Sequence, residues 1–229
     1  MVDIIIIILL GLGIFVGIRR GFTRQLVETV GTIIVIVISF LFSGYLANFF
    51  YKVFPFFNFS GRFEGITSLN LLLYEVIAFL VIFSLLSGIL KILKTTTTVF
   101  EKLLNATIIL GIPSKILGAL VGGINNFIYI FVALYFLSLP VFGITQVADS
   151  NIGNGVLHNT PILSNLGKNY LDIFDELDAL LEKYKHGSTK EELNQQTLEL
   201  LINNRIVSRP TVNNLIDTGK LTGLNKVER

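Results

Sequence analysis

Residues 1–21 read MVDIIIIILLGLGIFVGIRRG. From 2 to 18 this stretch carries one charge, Asp3, and two arginines follow at once, Arg19 and Arg20. A secretory leader has its basic residues before the apolar run and a small-residue cleavage site after it. Here the acid comes first and the arginines last, so the run reads as an uncleaved first transmembrane helix. About 20 mostly apolar residues cross the hydrocarbon core of a bilayer. In hydrocarbon every backbone N–H and C=O must be satisfied within its own segment, and a helix does that.

The rest of the chain has the same character. Of 229 residues, 52% are hydrophobic and 15% charged, where soluble domains have about 25% charged. The mean hydropathy is +0.71. Three further stretches are long and apolar enough to span, at about 26–50, 66–90 and 116–139. Residues 29–51 hold no charge, Glu75 interrupts the third stretch, and Pro140 ends the fourth. The expectation is an all-α integral membrane protein with four transmembrane helices in residues 1–140. There is no cysteine, which removes disulfides and thiol chemistry.

Residues 94–115, KTTTTVFEKLLNATIILGIPSK, are too polar to span. Phe100, Leu103, Leu104, Thr107, Ile108 and Gly111 recur at helical spacing, which suggests an interfacial amphipathic helix closed by Gly111-Ile112-Pro113. A buried helix of soluble type is the alternative. Residues 141–160 read as a linker, because DSNIGNGVLHNTP (149–161) is rich in Asn and Gly. Residues 161–229 read as a small soluble helical extension. Leu171, Phe174, Leu177, Leu181 and Tyr184 form one apolar face there, and Gly187 stops that helix. Ser188 to Glu191 looks like a capping box, and Ser208-Arg209-Pro210 opens a last helix that Gly219 closes. These helices are expected to pack on each other or on the membrane surface.

Orientation follows from Lys and Arg in the short loops. Arg19, Arg20 and Arg24 sit in the first loop, and Lys91, Lys94, Lys102 and Lys115 in the third; the second has Lys52 and Arg62. Loops one and three are therefore expected in the cytoplasm and both termini outside it. Residues 1–140 carry nine Lys/Arg and five Asp/Glu, and residues 141–229 nine and eleven. The acidic balance of the tail, with no basic patch interleaved with aromatics, argues against a nucleic-acid partner.

Gly13, Gly17 and Gly21 are spaced by four, as are Gly118 and Gly122. Small residues at this spacing let helix backbones approach closely in lipid. At about 100° per residue, Gly118, Gly122, Asn125 and Tyr129 share one face. Asn125 and Asn126 lie midway along the fourth span, where amides face protein or water. They suit either an interhelical hydrogen bond or a water- or substrate-lined face. Asp3, Glu28 and Glu75 are the acids in or near the spans, and such groups are functional candidates. Simpler roles are a headgroup-level position for Asp3, an i,i+4 pair with Arg24 for Glu28, and reach to the interface for Glu75.

No phosphate-binding loop, HExxH or Gly-x-Ser-x-Gly motif occurs. His158 and His186 stand alone in polar sequence. No metal-ligand spacing appears. We therefore expect no catalytic residues, no metal and no cofactor.

Residues 1–31 resemble the opening of the colicin V production protein (CvpA) family. Those proteins have an Asp near the N-terminus, an apolar helix and an Arg-Gly-Phe turn into the second helix, matched by Asp3, Arg20, Gly21, Phe22 and Arg24. SKILGALVGGINNFIYIFVALYFL (114–137) is similar to the family's last span, with Leu117, Gly118 and Gly122 on its Leu-Gly-x-x-x-Gly pattern. Where the family often has a charged residue after these glycines, this chain has Asn125 and Asn126. The resemblance covers roughly residues 1–140. It implies a bacterial cytoplasmic (inner) membrane protein of about four helices, linked to colicin V production and envelope homeostasis. The first functional reading is a non-enzymatic scaffold for peptide-toxin production or export, partnered by the lipid bilayer, other membrane or export proteins, or its own copies. The second is a small oligomeric transporter or channel using the polar face of the fourth helix.

Overall fold

The computed structural model describes residues 2–60, 63–96, 111–138, 150–160 and 189–226, and within the stretch between them residues 173, 176–177 and 179–183. The amphipathic helix expected before the fourth span lies outside the described residues, as do Phe174, Tyr184 and Gly187 of the tail. The helices are α1 (Val2–Arg20), α2 (Phe22–Val53), α3 (Leu69–Thr96), α4 (Gly111–Leu137), α5 (Asn151–His158), α6 (Lys190–Asn203) and α7 (Arg209–Asp217). Among the described residues there is no strand. The fold is all-α, with four membrane-spanning helices of mean hydropathy 1.9 to 2.5.

Several element ends depart from expectation, each for a local reason. Helix α2 starts at Phe22, not near residue 26, because Gly21 alone makes the turn at φ +77°. At 1.5 Å per residue its 32 residues run about 48 Å, so its ends pass beyond a hydrocarbon core of about 30 Å. Helix α3 begins at Leu69, inside the stretch at about 66–90 and in keeping with its reading, because residues 66–68 form the turn that leads into it. Gly111-Ile112-Pro113 opens α4 instead of closing a preceding helix. Proline suits a first helical turn, where its missing N–H has no intrahelical partner. The linker reading of 141–160 also changes, since Asn151–His158 is helical and Ser150 caps it by accepting from Gly153 N. The capping box of α6 falls one residue later than expected, with Thr189 and Glu192 bonding reciprocally at 3.2 and 3.1 Å.

The chain divides into two compact units, Met1–Ser39 with Ile82–Ser164, and Phe40–Val81 with Asn165–Arg229. In the first, Ile4, Ile5, Ile7 and Ile8 of α1 are all more than half exposed. A contiguous apolar surface of this kind belongs in lipid. In the second, the tail helices do more than pack on each other. Leu177, Leu193, Leu198, Leu201, Val212 and Leu215 share one core with Ala47, Tyr51, Ile66, Leu69 and Leu72. Ser68 N donates to Asn194 Oδ1 at 2.9 Å and Ser68 Oγ to Asn194 O at 2.7 Å. Asn194 Nδ2 reaches Thr67 Oγ1 at 2.8 Å, and Lys190 Nζ lies 2.9 Å from Glu64 Oε1.

Candidate functional site

Helices α1 and α4 run antiparallel with their backbones in contact. A Cβ built on Gly118 would stand 2.5 Å from Gly17 O and 2.8 Å from Gly21 C. One on Gly122 would stand 2.5 Å from Gly13 O. Gly17 faces Gly118 O, and Gly13 faces the Asn126 side chain, closer than any real Cβ could come. Lipid tails are as apolar as leucine, so helices associate in a bilayer through this close dispersion contact. The α1–α2 turn joins the same seam, because Phe22 N donates to Ser114 Oγ at 3.3 Å. Leu117 is exposed beside the seam.

The charges around the turn are distributed locally. Arg20 Nη1 meets Glu28 Oε2 in a short ion pair. Glu28 thus meets an arginine eight residues back, across the turn. Arg19 lies over the Phe15 ring at 4.7 Å from its centroid, a cation–π contact. Arg24 and Lys91 are exposed, and the side chain of Lys94 lies outside the described residues. At the other end of α1, Asp3 Oδ1 accepts from Ser150 Oγ and, at 3.0 Å, from Ile152 N. Its carboxylate so completes the N-terminus of α5, where negative charge is favoured.

Next to the glycine seam is a cavity of about 230 Å³ lined by Arg20, Gln25, Glu28, Asn125, Asn126 and Tyr129 among others. The two adjacent asparagines differ. Asn126 Nδ2 donates to Leu9 O of α1. Asn125 is 6% exposed and its Oδ1 finds no partner among the described residues. The same holds for Oε1 of Gln25, 2% exposed. A buried acceptor left without a donor costs about 1–3 kcal/mol, and here two line one cavity. The surrounding hydroxyls are occupied: Thr29 Oγ1 bonds Gln25 O at 2.9 Å, and Thr32 Oγ1 is 3.2 Å from Tyr129 OH.

Glu75 belongs to the second unit and is 5% exposed. Ser43 Oγ donates to its Oε1 at 2.8 Å, and Tyr51 OH lies 3.4 Å from Oε2 and 3.2 Å from Leu71 O. A Cβ on Gly44 would be 3.6 Å from Oε1, an ordinary contact, so the carboxylate lies close against α2. The structure thus brings Gly13, Gly17, Gly21, Gly118, Gly122, Asn125, Asn126, Arg20 and Glu28 together, and keeps Glu75 and Asp3 in settings of their own.

Sequence reasoning passed over Gln25, Ser114, Ser150 and Tyr51. Gln25 lies just before the stretch at about 26–50, and the one-residue turn at Gly21 places it inside α2. Among the described residues no three His, Cys, Asp or Glu side chains converge as a metal site.

Comparison with known proteins agrees with this architecture. Over 177 residues, 72% of this chain and 94% of the relative, the sequence is 31% identical to a Bacillus subtilis (strain 168) protein described as "Uncharacterized transmembrane protein YshB". No solved structure matches. The family model for "Colicin V production protein" matches residues 2–161, a span that takes in Asp3, the Gly21 turn, the α4 glycines and α5. This multi-pass membrane protein belongs to the colicin V production protein family.

Proposed function

We propose that the chain is a non-enzymatic scaffold in the bacterial cytoplasmic membrane, supporting peptide-toxin production or export and envelope homeostasis. The observation that carries this reading is the α1–α4 seam. Gly21, Gly118 and Gly122, three of the positions that resemble the family pattern, meet in it at backbone contact. Bilayer-embedded backbones interlocked this way form a framework of fixed geometry, which suits holding partners in register. The Lys/Arg bias of loops one and three orients that framework with the termini outside the cytoplasm. The tail then presents an extracytoplasmic surface to export or envelope proteins. Deleting the gene from its own host tests the reading. The expected result is lower release of a co-expressed peptide toxin and greater sensitivity to detergent stress, both restored by the wild-type chain. A deletion strain that releases toxin and tolerates detergent like its parent overturns it.

A second reading rests on a different observation, the Gln25 and Asn125 oxygens without donors beside the α4 cavity. An oligomeric transporter or channel would use that face for water or solute. The double variant Asn125→Leu/Asn126→Leu separates the two readings. Full complementation at normal expression rejects the transporter, and loss of complementation with a normally folded protein supports it.

A further inference from the structure

The second unit holds a cavity of about 250 Å³ that the scaffold reading does not use. One wall is the buried Glu75 carboxylate, held by Ser43. Another is the turn between α6 and α7 with the first turn of α7, bearing Arg205, Ser208 and Thr211. The α2 side of the rim is Leu41 and Tyr45, 66% and 76% exposed.

Three properties of this cavity point the same way. It carries both signs of charge, a carboxylate from α3 and a guanidinium from the tail. Among the described residues Arg205 meets no carboxylate. Arg205 also sits at φ +59°, the one positive φ outside glycine among the described residues. That conformation closes α6 as a Schellman cap, with Arg205 N donating to Ile202 O at 3.0 Å and Ile206 N to Leu201 O at 2.9 Å, and the cap fixes the arginine on the tail wall of the cavity. Finally, the volume exceeds that of several waters at about 30 Å³ each. Tyrosine on a spanning helix is enriched at the level of lipid headgroups, and Tyr45 stands exposed on this rim.

We propose that this cavity binds the phosphoethanolamine headgroup of an aminophospholipid, its ammonium on Glu75 and its phosphate on Arg205. A primary ammonium has N–H donors for the carboxylate. Guanidinium matches phosphate oxygens in a two-point fork, and the Ser208 and Thr211 hydroxyls line the same wall. The acyl chains leave past Leu41 and Tyr45. A quaternary choline headgroup has no N–H for Glu75, and a glycerol headgroup has no cation.

The full-length chain, purified in detergent, is titrated with phosphatidylethanolamine, phosphatidylcholine or phosphatidylglycerol and bound lipid is counted by native mass spectrometry. Phosphatidylethanolamine should be retained at least about tenfold better than the other two, as expected from a paired charge-assisted contact. Glu75→Gln and Arg205→Gly should each remove that preference. Arg205→Gly guards against misfolding, since glycine accepts a positive φ freely and its thermal midpoint should stay level or rise. Water-soluble glycerophosphoethanolamine is titrated in parallel. Binding as tight as the lipid's supports the headgroup site with a soluble source, and weaker binding supports the lipid source. Equal retention of the three lipids by the wild type, or a preference that survives both substitutions, overturns the proposal.

Discussion

Asn125 and Asn126 are chain neighbours with opposite energetic roles. Asn126 gives its amide N–H to Leu9 O, so Asn126→Ala should destabilise the protein. An interhelical hydrogen bond in a membrane is worth about 0.6 kcal/mol, with some packing added. Asn125 Oδ1 lacks a donor, so Asn125→Leu should stabilise, by up to about 1–3 kcal/mol. Thermal unfolding in one detergent measures both, and shifts of the same sign would refute the assignment. Their placement midway along the helix was readable from their position in the fourth apolar stretch. Which amide would be paired was not, because that depends on where Leu9 and Gly13 stand across the seam. Gln25 illustrates the same limit from the other side, since only the position of a turn makes it a buried residue.

At the scale of elements, the glycines give a sharp contrast. Gly118→Ala forces a Cβ to 2.5 Å from Gly17 O, and both atoms belong to backbone that cannot yield cheaply. Overpacking of this kind costs about 1–3 kcal/mol or more. Gly11 and Gly88 have nothing within 4 Å of a built Cβ. Alanine at either should be neutral or stabilising by up to about 1 kcal/mol, from helix propensity alone. Melting of the three variants checks this, and equal losses would show that spacing, not contact, matters. The four spans themselves were legible from long apolar windows with at most one charge each. Their ends were less so, because a one-residue turn leaves almost no polar signature and Pro113 reads equally as a stop or a start. Helix α5 was illegible for a different reason: half of its N-terminal support is the Asp3 carboxylate, supplied from the far end of the sequence.

For the whole molecule, the tail is part of a core it shares with residues 47–78. Lys190 and Glu64 mark that docking at the surface. The hydrogen bond from Lys190, then its charge, hold the Glu64 carboxyl below its usual value near 4.5. A depressed folded-state value means the contact supports the fold above that usual value and is lost as pH falls through the lower one. The pair is exposed, so the effect is small and weakens with salt. At low salt, Lys190→Ala should lower the thermal midpoint slightly at neutral pH and flatten its fall on acidification; an unchanged acid limb would argue against the pair. Orientation is tested with the exposed Gln196. In a chain without cysteine, Gln196→Cys should react with an impermeant maleimide in intact cells. Labelling only after permeabilisation would reverse the topology.

The glycine seam also sets an order of events during synthesis. Gly17 and its partner Gly118 are 118 − 17 = 101 residues apart. At about 5–20 residues per second, α1 waits roughly 5–20 seconds in the membrane before α4 is made. Through that interval its bare glycine groove faces lipid or the groove of another nascent chain. Correct assembly is therefore a race between α4 arriving and α1 finding the wrong neighbour. Slowing translation between residues 21 and 111 should cost yield in a way that no change to the finished structure would explain.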